Sequence, residues 1–309
     1  MDFPTSTGIT KRHDIYPFIH PTKFTGLLHG KVVLLTGASK GIGRTTALAL
    51  AASGASLALL ARSDAELSSL VSEISSKYHT PTLALVGNIL SNPIDTVARV
   101  ERELGPISIL INNAGKNHMV PFAAPEESLD EWWATFEVNV KGPIALMHAV
   151  LPHFIARGAG TFITVGSSLA DVAAPYISAY CASKAAIVKA CQILDMEFKE
   201  LGIRSFIIHP GYVQTDMSSA TGGSGKSQEM REMQEGYQAL LTDTKELAAW
   251  SMVALAVCAS CEVGAGGGDR RVEVLAGRYW DAGDDLGEIL EQAEEIDKRD
   301  LYRLTFKKL

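Results

Sequence analysis

From residue 31 onward the chain alternates short, almost wholly apolar runs with longer segments of mixed polarity. "KVVLLT" (31–36), "ASLALLA" (55–61), "TLALVGN" (82–88), "ISILIN" (107–112), "TFITVGS" (161–167) and "GIRSFIIHP" (202–210) are rich in Val, Leu and Ile and are bounded by Gly, Asn or Pro, which predicts strands. Between them lie helical patterns at 43–54, 64–78, 92–104, about 128–156 and 176–201. Strands this uniformly apolar are buried on both faces, and a helix between each pair implies parallel crossovers. The expectation is one α/β domain, residues 31–281, with a doubly wound parallel sheet of about seven strands.

The flanks break this rhythm. Residues 1–30 mix prolines and histidines without periodicity and read as an arm lying on the domain. Residues 211–243, rich in Ser, Gly and Met, read as a flap. An apolar helix at 244–258 is followed by the glycine-rich "EVGAGGGDRRVEVLAGRYW" before a last strand. Residues 282–309 alternate charges with spaced Leu and Ile, as a surface helix does.

Composition narrows the function classes. The 309 residues are 47% hydrophobic and 20% charged, with net charge −7 and no cluster of Lys and Arg, so a nucleic-acid groove or a polybasic membrane surface is not expected. The N-terminus has no apolar core behind a basic start, and the uncharged stretch 45–61 is broken by "SGAS" as a helix end, turn and strand. A soluble, cytoplasmic protein is expected. Of four cysteines, Cys258 and Cys261 form a CxxC without a second pair to complete a metal site, in an apolar context that favours a structural role. No metal is expected.

Two glycine-rich loops compete for a phosphate. "TGASKGIGR" (36–44) follows the first strand and opens the first helix, where glycines allow close backbone approach and unpaired helix N–H groups face an anion. Its spacing, Gly37, Gly41 and Gly43, is one residue wider than the usual G-x-G-x-x-G. "ATGGSGKS" (220–227) resembles an ATP loop, but no strand precedes it and a mostly polar segment follows. It is read as part of the flap, and ATP is not expected.

Further chemistry clusters on the same framework. "NNAG" (112–115) ends the fourth strand, Asn139 lies within "FEVNVKG", and Ser167 ends the fifth strand. "SAYCASK" sets Tyr180 and Lys184 on one helix face, and "HPGYVQT" closes the sixth strand. Together these motifs resemble the classical short-chain dehydrogenase/reductase family over about residues 31–215. The resemblance implies a Rossmann fold and a tetrad of Asn139, Ser167, Tyr180 and Lys184. Tyr180 acts as acid/base with its pKa drawn down by Lys184, and Ser167 holds the substrate oxygen. Lys184 also meets the nicotinamide ribose, and Asn139 organises a water path.

For the cofactor, the resemblance implies contacts from Gly37, Ser39, Lys40, Gly41, Ile42 and Gly43, then from Asn113, Ala114 and Gly115, and finally from Pro210, Gly211, Val213 and Thr215. The second strand ends in Ala61 rather than an acid, followed by Arg62 and Ser63. Arg62 and Lys40 favour a 2′-phosphate and hence NADP, although each also reads as a surface charge. Asn88 stands where many relatives carry an adenine-contacting Asp. His118, Ser167 and Tyr212 are expected to meet a small, fairly apolar carbonyl or alcohol, with His118 equally readable as a loop residue. The flanks resemble those of fungal members, many of which serve specialised metabolism. A homo-oligomer, with a dimer favoured, is expected. Two other readings stay open: a non-catalytic NADP(H) sensor or scaffold, and an isomerase or cyclase on the same fold.

Overall fold

In the computed structural model, residues 8–123, 129–219, 228–260 and 269–304 are described. The apolar runs form seven strands: β1 Val32–Thr36, β2 Ser56–Ala61, β3 Thr82–Val86, β4 Ile107–Asn112, β5 Gly160–Val165, β6 Ile203–His209 and β7 Tyr279–Asp281. All neighbours pair in parallel, in the order β3-β2-β1-β4-β5-β6-β7.

The two faces of the sheet take alternate residues of each strand. Val33 and Leu35 of β1 and Leu57 and Leu59 of β2 join one core, with α1 (Gly41–Ala52), α2 (Asp64–Tyr78) and α9 (Lys245–Ser260). Val32, Leu34, Ala58 and Leu60 join the other, with α3 (Pro93–Leu104), α5 (Gly142–Arg157) and α6 (Ser178–Phe198). Helix α9 is buried continuously from Leu247 to Cys258 because it is covered on one side by α1 and on the other by the N-terminal arm. There Phe24 stacks on Trp250 at 6.3 Å between ring centroids.

Because β1 lies between β2 and β4, successive crossovers leave it in opposite directions. That reversal opens a crevice at the carboxyl ends of β1 and β4, the place such sheets use for ligands.

The structure adds detail to three expectations. The single helix expected over about 128–156 is α4 (Leu129–Phe136), a π-helical turn (Glu137–Lys141) and α5. The flap contains α7 (Asp216–Ser219) and α8 (Gln228–Gln238), while the ATP-like loop 220–227 lies outside the described residues, as does Cys261. The tail forms two short helices, α10 (Leu286–Glu291) and α11 (Ala293–Lys298), and it is no mere surface decoration. Leu286, Ile289, Leu290 and Ile296 are buried in the α9-side core. The arm clasps this tail, with Lys11 paired to Asp284 at 2.6 Å and Arg12 to Asp285 at 2.9 Å.

Candidate active site

The floor of the crevice is built from backbone. Thr36 ends β1, and its hydroxyl accepts the N–H groups of Asn113 and Ala114 at 3.0 Å each. The Asn113 amide donates to the carbonyls of Thr36 and Gly37 at 3.0 and 3.1 Å. The two motifs are thereby sewn together across adjacent strands. Gly37 has φ of +67°, which favours glycine. A Cβ on Gly43 would sit 2.1 Å from the Gly37 carbonyl oxygen, so the first turn of α1 can close on the loop only as glycine. Lys40, the N-cap residue, does not cap α1 with its side chain, and the first residues of the helix line the crevice. This is a bare, electropositive cradle of the kind a pyrophosphate fits.

From the cradle a cleft of roughly 840 Å³ runs past the carboxyl ends of β2, β4, β5 and β6. Every glycine-loop residue expected to touch cofactor lines it, as do Arg62, Ser63, Asn88, the Asn113–Gly115 stretch, Pro210, Gly211, Val213 and Thr215. Ser167, Tyr180 and Lys184 line it too.

Ser167 lies two residues beyond the end of β5 rather than on it. Its extended backbone caps a short 3-10 turn, where its hydroxyl accepts the Leu169 N–H at 3.2 Å. Tyr180 stands in the first turn of α6. One turn on, the buried Lys184 donates from Nζ to the Val165 carbonyl at 2.7 Å, and Nζ lies 5.6 Å from the Tyr180 ring centre. Asn139 is buried behind the cleft wall. The π turn presents its side chain to the loop after β4: Oδ1 accepts the Lys116 N–H at 2.7 Å, and Nδ2 donates to the Lys116 carbonyl and the Ser183 hydroxyl at 2.9 Å each. Ser183 in turn donates to the Tyr180 carbonyl at 2.8 Å, so Asn139 braces the turn of α6 that carries Tyr180.

The electrostatics differ from the sequence expectation. Burial pushes the Tyr180 phenol above its ordinary pKa, the nearby Tyr237 adds to this, and a hydrogen bond with Ser167 opposes it. Burial likewise brings Lys184 down, to about 8. Desolvation outweighs the mutual help expected of a tyrosine and an ammonium one turn apart, because Lys184 is buried and Tyr180 is half-buried in the cleft wall. At neutral pH the pair is a protonated phenol beside a lysine that still carries its proton.

Two expected pocket residues stand elsewhere. His118 and Tyr212 are not part of the cleft wall. Tyr212 is turned toward Ser168, with 3.4 Å between hydroxyls, while its N–H donates to Asp243 at 2.6 Å. The cleft lining is instead partly apolar and sulfur-rich, with Met119, Leu169, Ile177, Met217, Met233 and Tyr237. The spacing of Met230, Met233 and Tyr237 on α8 is a helical one that the sequence displayed and the flap reading passed over. Lys40 and Arg62 differ in state. Arg62 is exposed and makes no hydrogen bond or ion pair among the described residues, whereas Lys40 is 2.8 Å from Glu66, a further cleft residue. Among the described residues no group of three or more His, Cys, Asp and Glu is placed to hold a metal ion.

Residues 31–224 match the family model described as short chain dehydrogenase. A short chain dehydrogenase of Pseudocercospora fijiensis is 36% identical over 292 residues, 94% of this chain and 92% of that protein. One from Monascus purpureus is 37% identical over 308 residues, 96% of each. These alignments run through the arm and the tail as well as the sheet. Among solved structures, a short chain dehydrogenase of Shigella flexneri complexed with NADP superposes with a TM-score of 0.66 at 25% identity, covering 84% of this chain and 99% of that one.

Proposed function

The chain belongs to the short chain dehydrogenase family, and we propose that it is an NADPH-dependent oxidoreductase that interconverts a carbonyl and an alcohol on a small, fairly apolar substrate. The observation that carries this reading is the convergence of Ser167, Tyr180 and Lys184 on the same cleft that the glycine cradle opens into, with Asn139 bracing them from behind.

The residues present fit a nicotinamide dinucleotide. The uncapped start of α1 and the bare Gly37–Gly43 loop suit its pyrophosphate, Arg62 and Ser63 a 2′-phosphate, and Asn88 the adenine edge. Asn113–Gly115, Lys184 and the Pro210–Thr215 stretch would hold the remainder toward Tyr180. Bound there, the cofactor supplies or accepts the hydride.

The chain's own residues then manage the proton. In the reducing direction Ser167 donates a hydrogen bond to the carbonyl oxygen, and Tyr180, protonated at neutral pH, gives that oxygen its proton as negative charge develops. The resulting phenolate is stabilised by Lys184, whose charge is present below about pH 8. In the oxidising direction the same proton returns to Tyr180. The methionine, leucine and isoleucine side chains of the cleft favour an apolar skeleton beside the reacting carbon.

Similarity to fungal short chain dehydrogenases along the flanks supports a place in specialised metabolism. Exposed Ile144 and Ile155 on α5 and Ile193 and Met196 on α6 support a homodimer. No helix among the described residues is long and apolar enough to cross a membrane, in keeping with a cytoplasmic enzyme.

The test is fluorescence titration with NADPH and, separately, NADH, followed by a panel of apolar carbonyls. Tight NADPH and weaker NADH binding is expected; binding of neither sinks the enzyme reading.

A further inference from the structure

At the β2 end of the cleft the sequence promises two cations for a phosphate, yet the fold sets a carboxylate against one of them. Glu66, in the first turn of α2, lines the cleft with Ser39, Lys40, Arg62 and Ser63. Its Oε1 is 2.8 Å from Lys40 Nζ, and Asp216 stands on the far side of the same ammonium at 3.7 Å. Lys40 chiefly, with help from the Ser39 and Ser63 hydroxyls, holds the Glu66 carboxyl below its ordinary range. An ammonium and two hydroxyls are the donors that a phosphate monoester would take. Here the ammonium already serves an anion of the protein's own.

Arg62 is different. It is exposed beside the cleft and makes no ion pair among the described residues, so it can meet an incoming phosphate without first giving up a partner. Lys40 cannot. A dianion arriving there must displace Glu66 or accept a like charge close by, and either costs binding free energy.

We propose that Glu66 sets the cofactor preference by competing with the 2′-phosphate for Lys40, leaving Arg62 as the principal phosphate ligand. The protein then distinguishes NADPH from NADH less sharply than two free cations would permit. This rests on the NADPH reading above and concerns how strongly, not whether, the phosphate is preferred.

Calorimetric titration of the full-length protein with 2′,5′-ADP and with 5′-ADP isolates this end of the cleft without any turnover. Glu66→Gln should tighten 2′,5′-ADP by about tenfold, the scale of one charge pair changed near a surface, while 5′-ADP stays within about twofold. Lys40→Ala should weaken 2′,5′-ADP less in wild type than in the Glu66→Gln background, where it should cancel the gain, a coupling a double-mutant cycle reads directly. The competition is overturned if Glu66→Gln leaves 2′,5′-ADP unchanged or weaker while Arg62→Ala still loses the preference for it. Weakened 5′-ADP binding in Glu66→Gln also overturns it, because Glu66 would then be accepting a ribose hydroxyl. If wild type binds both nucleotides equally and Arg62→Ala changes neither, the NADPH reading itself falls, and the competition with it.

Discussion

The two ends of the cleft are built from different material. At the β1 end the surface is backbone: glycines forced by a +67° φ and by a site where an added Cβ would strike the Gly37 carbonyl, and an asparagine stitched to two carbonyls. At the other end it is side chains, Met119, Met217, Met233 and Tyr237, carried on a loop and on helices of the flap. A backbone surface can serve any ligand with the same phosphates. A side-chain surface is remade by each substitution, and methionine adapts to irregular shapes. In the proposed function the cradle therefore serves the shared cofactor and the sulfur-rich wall the individual substrate.

The comparison breaks most visibly at Gly43. Gly43→Val places carbon atoms where the Gly37 carbonyl and the Asn113 amide already are. It should abolish NADPH binding in titration and lower the unfolding free energy by about 3 kcal/mol, the upper range of overpacking, in urea denaturation.

Next is the buried lysine. Lys184 carries a pKa of about 8 in the fold against 10.5 when exposed, so between those values the unfolded chain holds more protons than the native one. Stability therefore rises with pH through this window, and the cost of burying the charge is fully present below about pH 8. Of that window, pH 8 to 10 is the useful part, because the raised Tyr180 pKa withdraws stability above the ordinary tyrosine value near 10. Wild type without cofactor should gain about 2 to 3 kcal/mol relative to Lys184→Met across the window, the linkage equivalent of the shift, as read from urea midpoints. A flat difference would mean that the ammonium is solvated.

The smallest effect should come from the other end. Met233→Ala removes side-chain surface from the wall without touching the cradle. It should change KM for apolar carbonyls several-fold, about what one or two methylenes are worth, and leave the NADPH dissociation constant alone. Equal changes in both would erase the distinction between the two ends.

What the sequence made legible follows the same division. Strands β1 to β6 and the glycine cradle could be read because their constraints are local: apolar runs, breakers and a loop between strand and helix. Asn139 was legible as a residue but not as a π turn, because "EVNVK" has no local signal separating one helical hydrogen-bond register from the next. The asparagine's clamp on Lys116, 23 residues away, is tertiary. The tail read as a surface helix because its Leu and Ile spacing is amphipathic, and nothing local says that the arm and the 3-10 turn Arg270–Leu275 would cover the apolar side. Glu66 carries no local signal beyond that of a first-turn acid of α2, and only the fold turns it toward Lys40. For Tyr180 and Lys184 the spacing was right and the electrostatics were not, since burial is a property of the whole fold.

The central claim is that Tyr180 is the proton donor in a cleft that binds cofactor independently of it. The most direct measurement compares Tyr180→Phe with wild type in two readouts, NADPH affinity by fluorescence and single-turnover oxidation of bound NADPH by a carbonyl substrate. Affinity within about twofold and a turnover loss of about 10³ or more, within the range of a lost general acid, is the predicted result. Turnover close to wild type with affinity intact would contradict it and move the proton to another residue of the cleft.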